Sequence, residues 1–128
     1  MNQERFSQMK ILAVCVLLLL IPLMAAHAGE ADVIKAEIEK LGDGTYRFDV
    51  TVSHSDDGWD HYADKWDVVG PDGTTLGTRT LYHPHVDEQP FTRSLSGVKV
   101  PEGTSSVTIR AHDSIHEYGG KVLTVDLP

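Results

Sequence analysis

One cysteine and three methionines are all the sulfur in the 128-residue sequence, and Cys15, Met1, Met9 and Met24 all fall within its first 28 residues. From Gly29 onward there is no thiol and no thioether. That excludes cysteine nucleophiles, iron–sulfur clusters, blue-copper centres with a Cys ligand and Met-rich copper(I) sites from this part of the chain. A disulfide framework is excluded too, so about 100 residues must be held by an ordinary apolar core. Basic residues are also scarce. Setting aside Arg5, Lys10 and Glu4 leaves 11 − 2 = 9 Lys+Arg against 19 − 1 = 18 Asp+Glu, a net charge of −9. Such a surface repels phosphate backbones, and no Lys/Arg cluster offsets it, so nucleic acid is excluded as a partner.

The first 28 residues read as a secretory signal. The apolar run from Ile11 to Ala26 follows Arg5 and Lys10 and ends in Ala26-His27-Ala28, which supplies the basic start, apolar middle and Ala-x-Ala exit. Cleavage after Ala28 leaves a single domain over residues 29–128, with no membrane span in the mature form and a periplasmic or secreted location. Leu12-Ala13-Val14-Cys15 resembles a lipoprotein cleavage site, but Val14 is large for its place and the apolar run follows the cysteine. Retention as an anchor is disfavoured, because sixteen apolar residues fall short of the roughly 20 that cross a bilayer.

Beyond Ala31 the pattern alternates with period two, and no long helical period occurs. Ile34, Ala36 and Ile38 alternate with charged residues, then Leu41-Gly42-Asp43-Gly44 turns the chain. Tyr46, Phe48, Val50 and Val52 form the inward set of a second strand. Trp66 and Val68 lead into Gly70-Pro71-Asp72-Gly73, a hairpin signal in which Pro presets φ and Gly accepts φ > 0. Further strands are expected over Thr75–Tyr82, Phe91–Leu95, around Val107–Ala111 and over Lys121–Leu127. Seven short antiparallel strands at this spacing predict an all-β immunoglobulin/fibronectin III-like sandwich with Trp66 in its core. The antibody cysteine pair is missing and Ile109 stands where a tyrosine corner would be, which favours a variant sandwich.

Three segments carry a resemblance: Gly58-Trp59-Asp60-His61-Tyr62-Ala63-Asp64, the run His83-Pro84-His85-Val86-Asp87-Glu88-Gln89-Pro90-Phe91-Thr92-Arg93, and Ala111-His112-Asp113-Ser114. Through them the mature chain resembles a group of uncharacterised small exported bacterial proteins. The resemblance implies a secreted β-sandwich and no particular chemistry.

Six histidines follow the signal: His54, His61, His83, His85, His112 and His116. With strands running alternately up and down, all six fall at or beside the second-to-third, fourth-to-fifth and sixth-to-seventh connections, at one end of the sandwich. The opposite turns, 42–44, 70–73 and 97–103, have none. His83-Pro84-His85 is an extended pair with both rings on one side, stiffened by proline. His112 and His116 can close across a turn. Asp60, Asp87, Glu88, Asp113 and Glu117 stand beside the histidines as ligands, or as acceptors for the second ring N–H of a ligating histidine. Imidazole and carboxylate without sulfur suit copper(II) or zinc. Bland alternatives accompany each residue. His54 continues the inward set of the second strand and can cap the core, His61 and His116 can be solvated loop residues, and His112 projects away from Val107, Ile109 and Ala111.

Other motifs carry less. Asp56-Asp57-Gly58 resembles a calcium loop without its remaining ligands. Ser53, Ser55 and Ser114 near His and Asp do not make a triad without spatial support. Arg93 and Arg110 are expected to pair with carboxylates. The leading expectation is an exported copper(II) or zinc carrier, buffer or sensor, working with a metal donor or acceptor protein. The alternative is an adhesion or interaction module whose loops, with Trp59, Tyr62, Tyr82 and Tyr118, grip a protein or glycan. A small metalloenzyme ranks third, since it needs an open coordination position in a pocket.

Overall fold

The computed structural model describes residues 29–128; the first 28 residues, with Cys15 and His27 and the expected signal, lie outside the described residues. Seven strands follow one another: β1 (Asp32–Lys40), β2 (Tyr46–Ser53), β3 (Ala63–Val69), β4 (Thr75–Thr80), β5 (Phe91–Val98), β6 (Ser106–Asp113) and β7 (Leu123–Asp126). They form two antiparallel sheets, ordered β1-β2-β5 and β4-β3-β6-β7. Compared with a constant-type immunoglobulin domain, the fourth strand lies beside the third and not on the edge of the first sheet. The predicted sandwich is the observed one.

Period-two alternation builds the core. On β2, Phe48, Val50 and Val52 point inward; on β6, Val107, Ile109 and Ala111 do; Trp66 and Val68 of β3 and Phe91 of β5 fill the space between, all fully or nearly fully buried. Two strands run further than the sequence pattern predicts. β5 continues to Val98 because Gly97, at φ 72°, absorbs an extra residue where Tyr46 pairs with Val98 and Phe48 with Leu95. A left-handed glycine in this position lets the ladder resume past a bulge. β6 continues to Asp113 because β3 supplies partners for both added residues, Lys65 for His112 and Ala63 for Asp113. The inward registers of β2 and β6 therefore do not stop at the apolar residues. They run on to His54 and Asp56 after β2, and to Asp113 on β6, all three buried.

The connections at that end are tied to one another. The amide of Ser114 donates to the Tyr62 carbonyl at 3.0 Å, and the Tyr62 amide returns a bond to the Ser114 hydroxyl at 3.1 Å, joining the 54–62 and 114–122 loops. The Gln89 carboxamide accepts from the His54 amide at 3.0 Å and donates to the His85 carbonyl at 3.0 Å, bringing in the 81–90 loop. Tyr118 fixes the far side of the last loop: its hydroxyl donates to Asp67, and the Arg110 guanidinium stacks 4.0 Å from its ring centre. Asp67, buried on the outer face of β3, also accepts from Thr78 at 2.6 Å and Arg110 at 3.2 Å. Burial alone would raise its carboxyl, but the bonds from Thr78, Tyr118 and Arg110 hold it below the usual carboxylate range.

Gly120 packs where β1 begins. A Cβ there would lie 2.0 Å from the Ala31 carbonyl oxygen, while the neighbouring Lys121 carbonyl accepts from Val33 at 2.8 Å and holds the two segments together. Gly120→Ala is therefore expected to lower unfolding free energy by about 1–3 kcal/mol in urea titration, the range of an overpacked contact. Asp67→Asn removes a charge that three donors face, and should cost about 2 kcal/mol at neutral pH. Because the folded carboxyl is depressed, that contribution is present above the unfolded pKa, about 3.9, and is lost as pH falls through the lower folded value. The gap between wild type and Asp67→Asn, read from urea midpoints, should accordingly close below about pH 4.

Candidate metal centre

Where the extended inward registers of β2 and β6 meet, imidazoles surround one carboxylate. Asp113 is fully buried. Its Oδ1 accepts the amides of Ile115 at 2.8 Å and His116 at 2.5 Å, so the turn after β6 wraps around it. Glu117, at φ 59°, closes that turn with a two-way backbone bridge to Asp113 at 3.1 Å in each direction. Three ring nitrogens then approach the same carboxylate: His54 Nε2 at 3.4 Å, His61 Nε2 at 3.6 Å and His116 Nδ1 at 3.2 Å. The His54 and His61 rings meet edge to face at 4.8 Å between centres, and His61 and His116 do so at 4.9 Å.

Burial on its own would raise the Asp113 carboxyl, yet the amides of His116 and Ile115, the His116 ring and the nearby His54 together lower it. Asp113 is thus a carboxylate anion inside the protein. Its histidine neighbours are incompletely matched: the Nε2 atoms of His54 and His61 are buried without a hydrogen-bond partner. A buried polar atom in that state calls for an unseen partner. The spacing points to its size. In a tetrahedral site with bonds of about 2.0–2.2 Å, neighbouring ligand atoms lie about 3.3–3.6 Å apart. His54 Nε2 and His116 Nδ1 stand 3.4 and 3.2 Å from Asp113 Oδ2, near that interval, while His61 Nε2 stands 3.6 Å from the other oxygen, Oδ1. His54, His61 and Asp113 offer ligand atoms all within 4.8 Å of one another, and among the described residues no second group of three or more His, Cys, Asp or Glu does so.

Exposure is graded across the cluster. The side chains of His54 and Asp113 are sealed off, His61 is 13% exposed and His116 38%, so the centre opens to solvent on the His116 side. Two concavities of about 200 and 270 Å³ lie at the opposite end of the sandwich, around Gly70, Leu76 and Thr104 and around Lys40, Tyr46 and Glu102. Neither touches a histidine.

The remaining sequence candidates are placed apart from this group. His112 is on the outward register of β6, its Nδ1 2.5 Å from Asp64 Oδ1 and its ring edge-on to Tyr118. Residues 112 and 113 face opposite ways on a strand, so His112 and His116 do not close across the turn; Asp113 and His116 do. His83 and His85 lie on one side, 4.6 Å between ring centres, but in different surroundings. His83 is exposed with Nδ1 on the Pro84 carbonyl at 3.0 Å, while His85 is buried and stacked on Phe91 at 3.9 Å. Burial, with Arg93 and His83 nearby, lowers the pKa of His85, which keeps its ring neutral at pH 7. Glu88 pairs with Arg93 at 3.1 Å, and Asp60, Asp87 and Glu117 present exposed side chains.

Asp56, which the sequence marks only as part of an incomplete calcium loop, takes a buried place beside the centre. It is buried between His54 and His85, with Oδ1 2.5 Å from His54 Nδ1 and Oδ2 2.7 Å from the His85 amide. The signal was available, since 46, 48, 50, 52, 54 and 56 are one continuous period-two set.

No protein-family model matches the chain. A protein of Halomicrobium mukohataei described as "Putative lipoprotein" is 45% identical over 97 residues, which cover 76% of this chain and 47% of that protein. The chain thus spans about half the length of the relative it matches. No solved structure matches.

Proposed function

We propose that this is an exported protein that binds one divalent transition-metal ion at the loop end of the sandwich, through His54 Nε2, His61 Nε2 and the Asp113 carboxylate, with His116 Nδ1 as the exposed fourth ligand. The observation that carries the reading is the pair of buried, partnerless Nε2 atoms facing the two oxygens of one buried carboxylate at 3.4 and 3.6 Å, with all three ligand atoms within 4.8 Å of one another. Nitrogen and oxygen donors without sulfur favour zinc or copper(II), and a net charge of −8 on the whole chain draws cations toward it. Export rests on the N-terminal signal pattern and is supported by a relative described as a lipoprotein. Membership in the group of small exported proteins sharing the Trp59-Asp60-His61 and His83-Pro84-His85 segments is part of the same reading. The role is that of a carrier, buffer or sensor, because the ion would sit at a surface-opening site with one exposed ligand and not beside a substrate cleft.

A second reading draws on a different observation. Trp59, Tyr82, Val86, Ile115, Tyr118 and Val122 are exposed, and all lie on the three loops of this same end. Such a concentration is what a contact surface for a protein or glycan presents, with or without an ion beneath it.

Calorimetric titration of metal-free residues 29–128 with zinc(II) and copper(II) separates the two. Saturable uptake of one ion is expected, and His54→Ala or His61→Ala should weaken it by about 100-fold or more, as losing one of four ligands does. His83→Ala should leave it unchanged. Uptake that survives in His54→Ala but is lost in His83→Ala would overturn the assignment of ligands, and affinity no better than about millimolar would leave the contact surface as the function. Zinc at about 100 times its Kd should raise unfolding free energy by about 2.7 kcal/mol, visible as an upward shift of Tm. Because ligating imidazoles must be neutral, affinity should fall steeply from about pH 7 to about pH 5; a flat profile would point to carboxylates alone.

A further inference from the structure

We propose that Asp56 is the positioning residue of this centre: it holds His54 as the Nδ1–H tautomer and thereby turns the Nε2 lone pair toward the ion. The inference rests on the metal reading above and adds a residue to it, together with the reason the His83–His85 loop is tied to the site.

The hydrogen bonds around Asp56 leave its carboxylate one mode of action. Both the Asp56 and His54 side chains are fully buried. Oδ1 takes the Ala63 amide at 3.0 Å and lies 2.5 Å from His54 Nδ1; Oδ2 takes the His85 amide at 2.7 Å. An ionised carboxylate only accepts, so the proton of the His54 ring resides on Nδ1. In the neutral ring Nε2 is then a lone pair, and it faces another acceptor, Asp113 Oδ2, at 3.4 Å. Two buried acceptors at that distance repel unless a proton on the ring or a metal ion lies between them, and the neutral ring that ligation requires leaves the place to the ion. A carboxylate on the distal nitrogen of a ligating histidine also raises the basicity of the proximal one.

The same arrangement explains why an amide cannot stand in for the acid. If the carboxamide of an Asp56→Asn variant keeps its oxygen on His54 Nδ1 and the Ala63 amide, its NH₂ meets the His85 N–H. If it flips, the NH₂ meets the Ala63 N–H. Either way one donor faces another in a buried place. The 81–90 loop therefore reaches the centre through a main-chain bond: His85 N–H braces Asp56, Asp56 orients His54, and His54 faces Asp113. His85 itself keeps both ring nitrogens buried and unpartnered, stacked on Phe91.

The test is nitrogen-15 NMR of the His54 ring in the metal-free and zinc-loaded protein, with zinc affinity measured for wild type and Asp56→Asn. The expected result is an Nδ1–H ring in both states, a bare Nε2 that shifts on zinc addition, and a 10–100-fold loss of affinity in Asp56→Asn. A purely structural Asp56 would lower Tm in the variant while leaving zinc affinity and tautomer as they are, and that result overturns the proposal. So does a wild-type His54 that carries its proton on Nε2 or binds zinc through Nδ1, an observation that needs no variant to fold. If wild type shows the Nδ1–H ring but takes up no zinc or copper(II), the metal reading itself fails, and Asp56 as a metal-positioning residue fails with it.

Discussion

Asp113 is a carboxylate anion withdrawn from solvent at the end of an otherwise apolar strand register, and the loop end of this sandwich is built around satisfying it. A lone buried charge would be expelled or neutralised. Here two amides of the following turn and three imidazoles converge on it, while Glu117 closes that turn through the Asp113 backbone. The β2–β3 and β6–β7 loops pack together because both contribute to that one carboxylate. The β4–β5 loop joins them through Gln89 and Asp56. Take the anion away and the reason for this arrangement goes with it.

The two faces of β6 divide the labour. Inward, Val107, Ile109 and Ala111 hold the sheets together and Asp113 ends the row at the polar centre. Outward, Arg110 and His112 engage Asp67, Tyr118 and Asp64 and pin the loop that carries His116. A single strand thus supplies both the anion of the site and the anchorage of the segment covering it. This is the economy that period-two geometry permits, with neighbouring residues serving opposite sides of a sheet.

Much of this was readable in the sequence, and what was missed has a definite cause. Alternation of Tyr46, Phe48, Val50 and Val52 announced β2 and carried His54 onto the core face. The up-and-down order of seven strands sorted all six histidines to one end without coordinates. Alternation is a local rule, however, and it is silent on how far a register continues once hydrophobicity stops. Asp56 and Asp113 are inward residues that look like loop acids, because a charged side chain gives no burial signal of its own. Their burial depends on partners that no strand pattern displays, His54 and His85 for one and His54, His61 and His116 for the other. The His83-Pro84-His85 segment shows the converse. Its composition advertises ligation, whereas its nearest link to the carboxylate cluster is the main-chain N–H of His85. The end of β5 was hidden for a third reason: Gly97 reads as a turn residue, but here its positive φ continues a strand past a bulge.

The lacing of the three loops has a thermodynamic consequence. The bonds joining Ser114 to Tyr62, Gln89 to His54 and Asp56 to His85 are made by protein groups other than the candidate ligating atoms, so none of them needs an ion to form. Small metal domains that fold on binding bury new apolar surface and register it as a large negative heat-capacity change. In this sandwich the apolar core around Phe48, Trp66 and Ile109 is buried by the two sheets and not by the candidate ligands. Uptake would then be measured as an exchange of hydration shells and protons at a fixed set of donors, with a heat capacity nearly unmoved and a slope in enthalpy set by the ionisation heat of whichever buffer receives the protons.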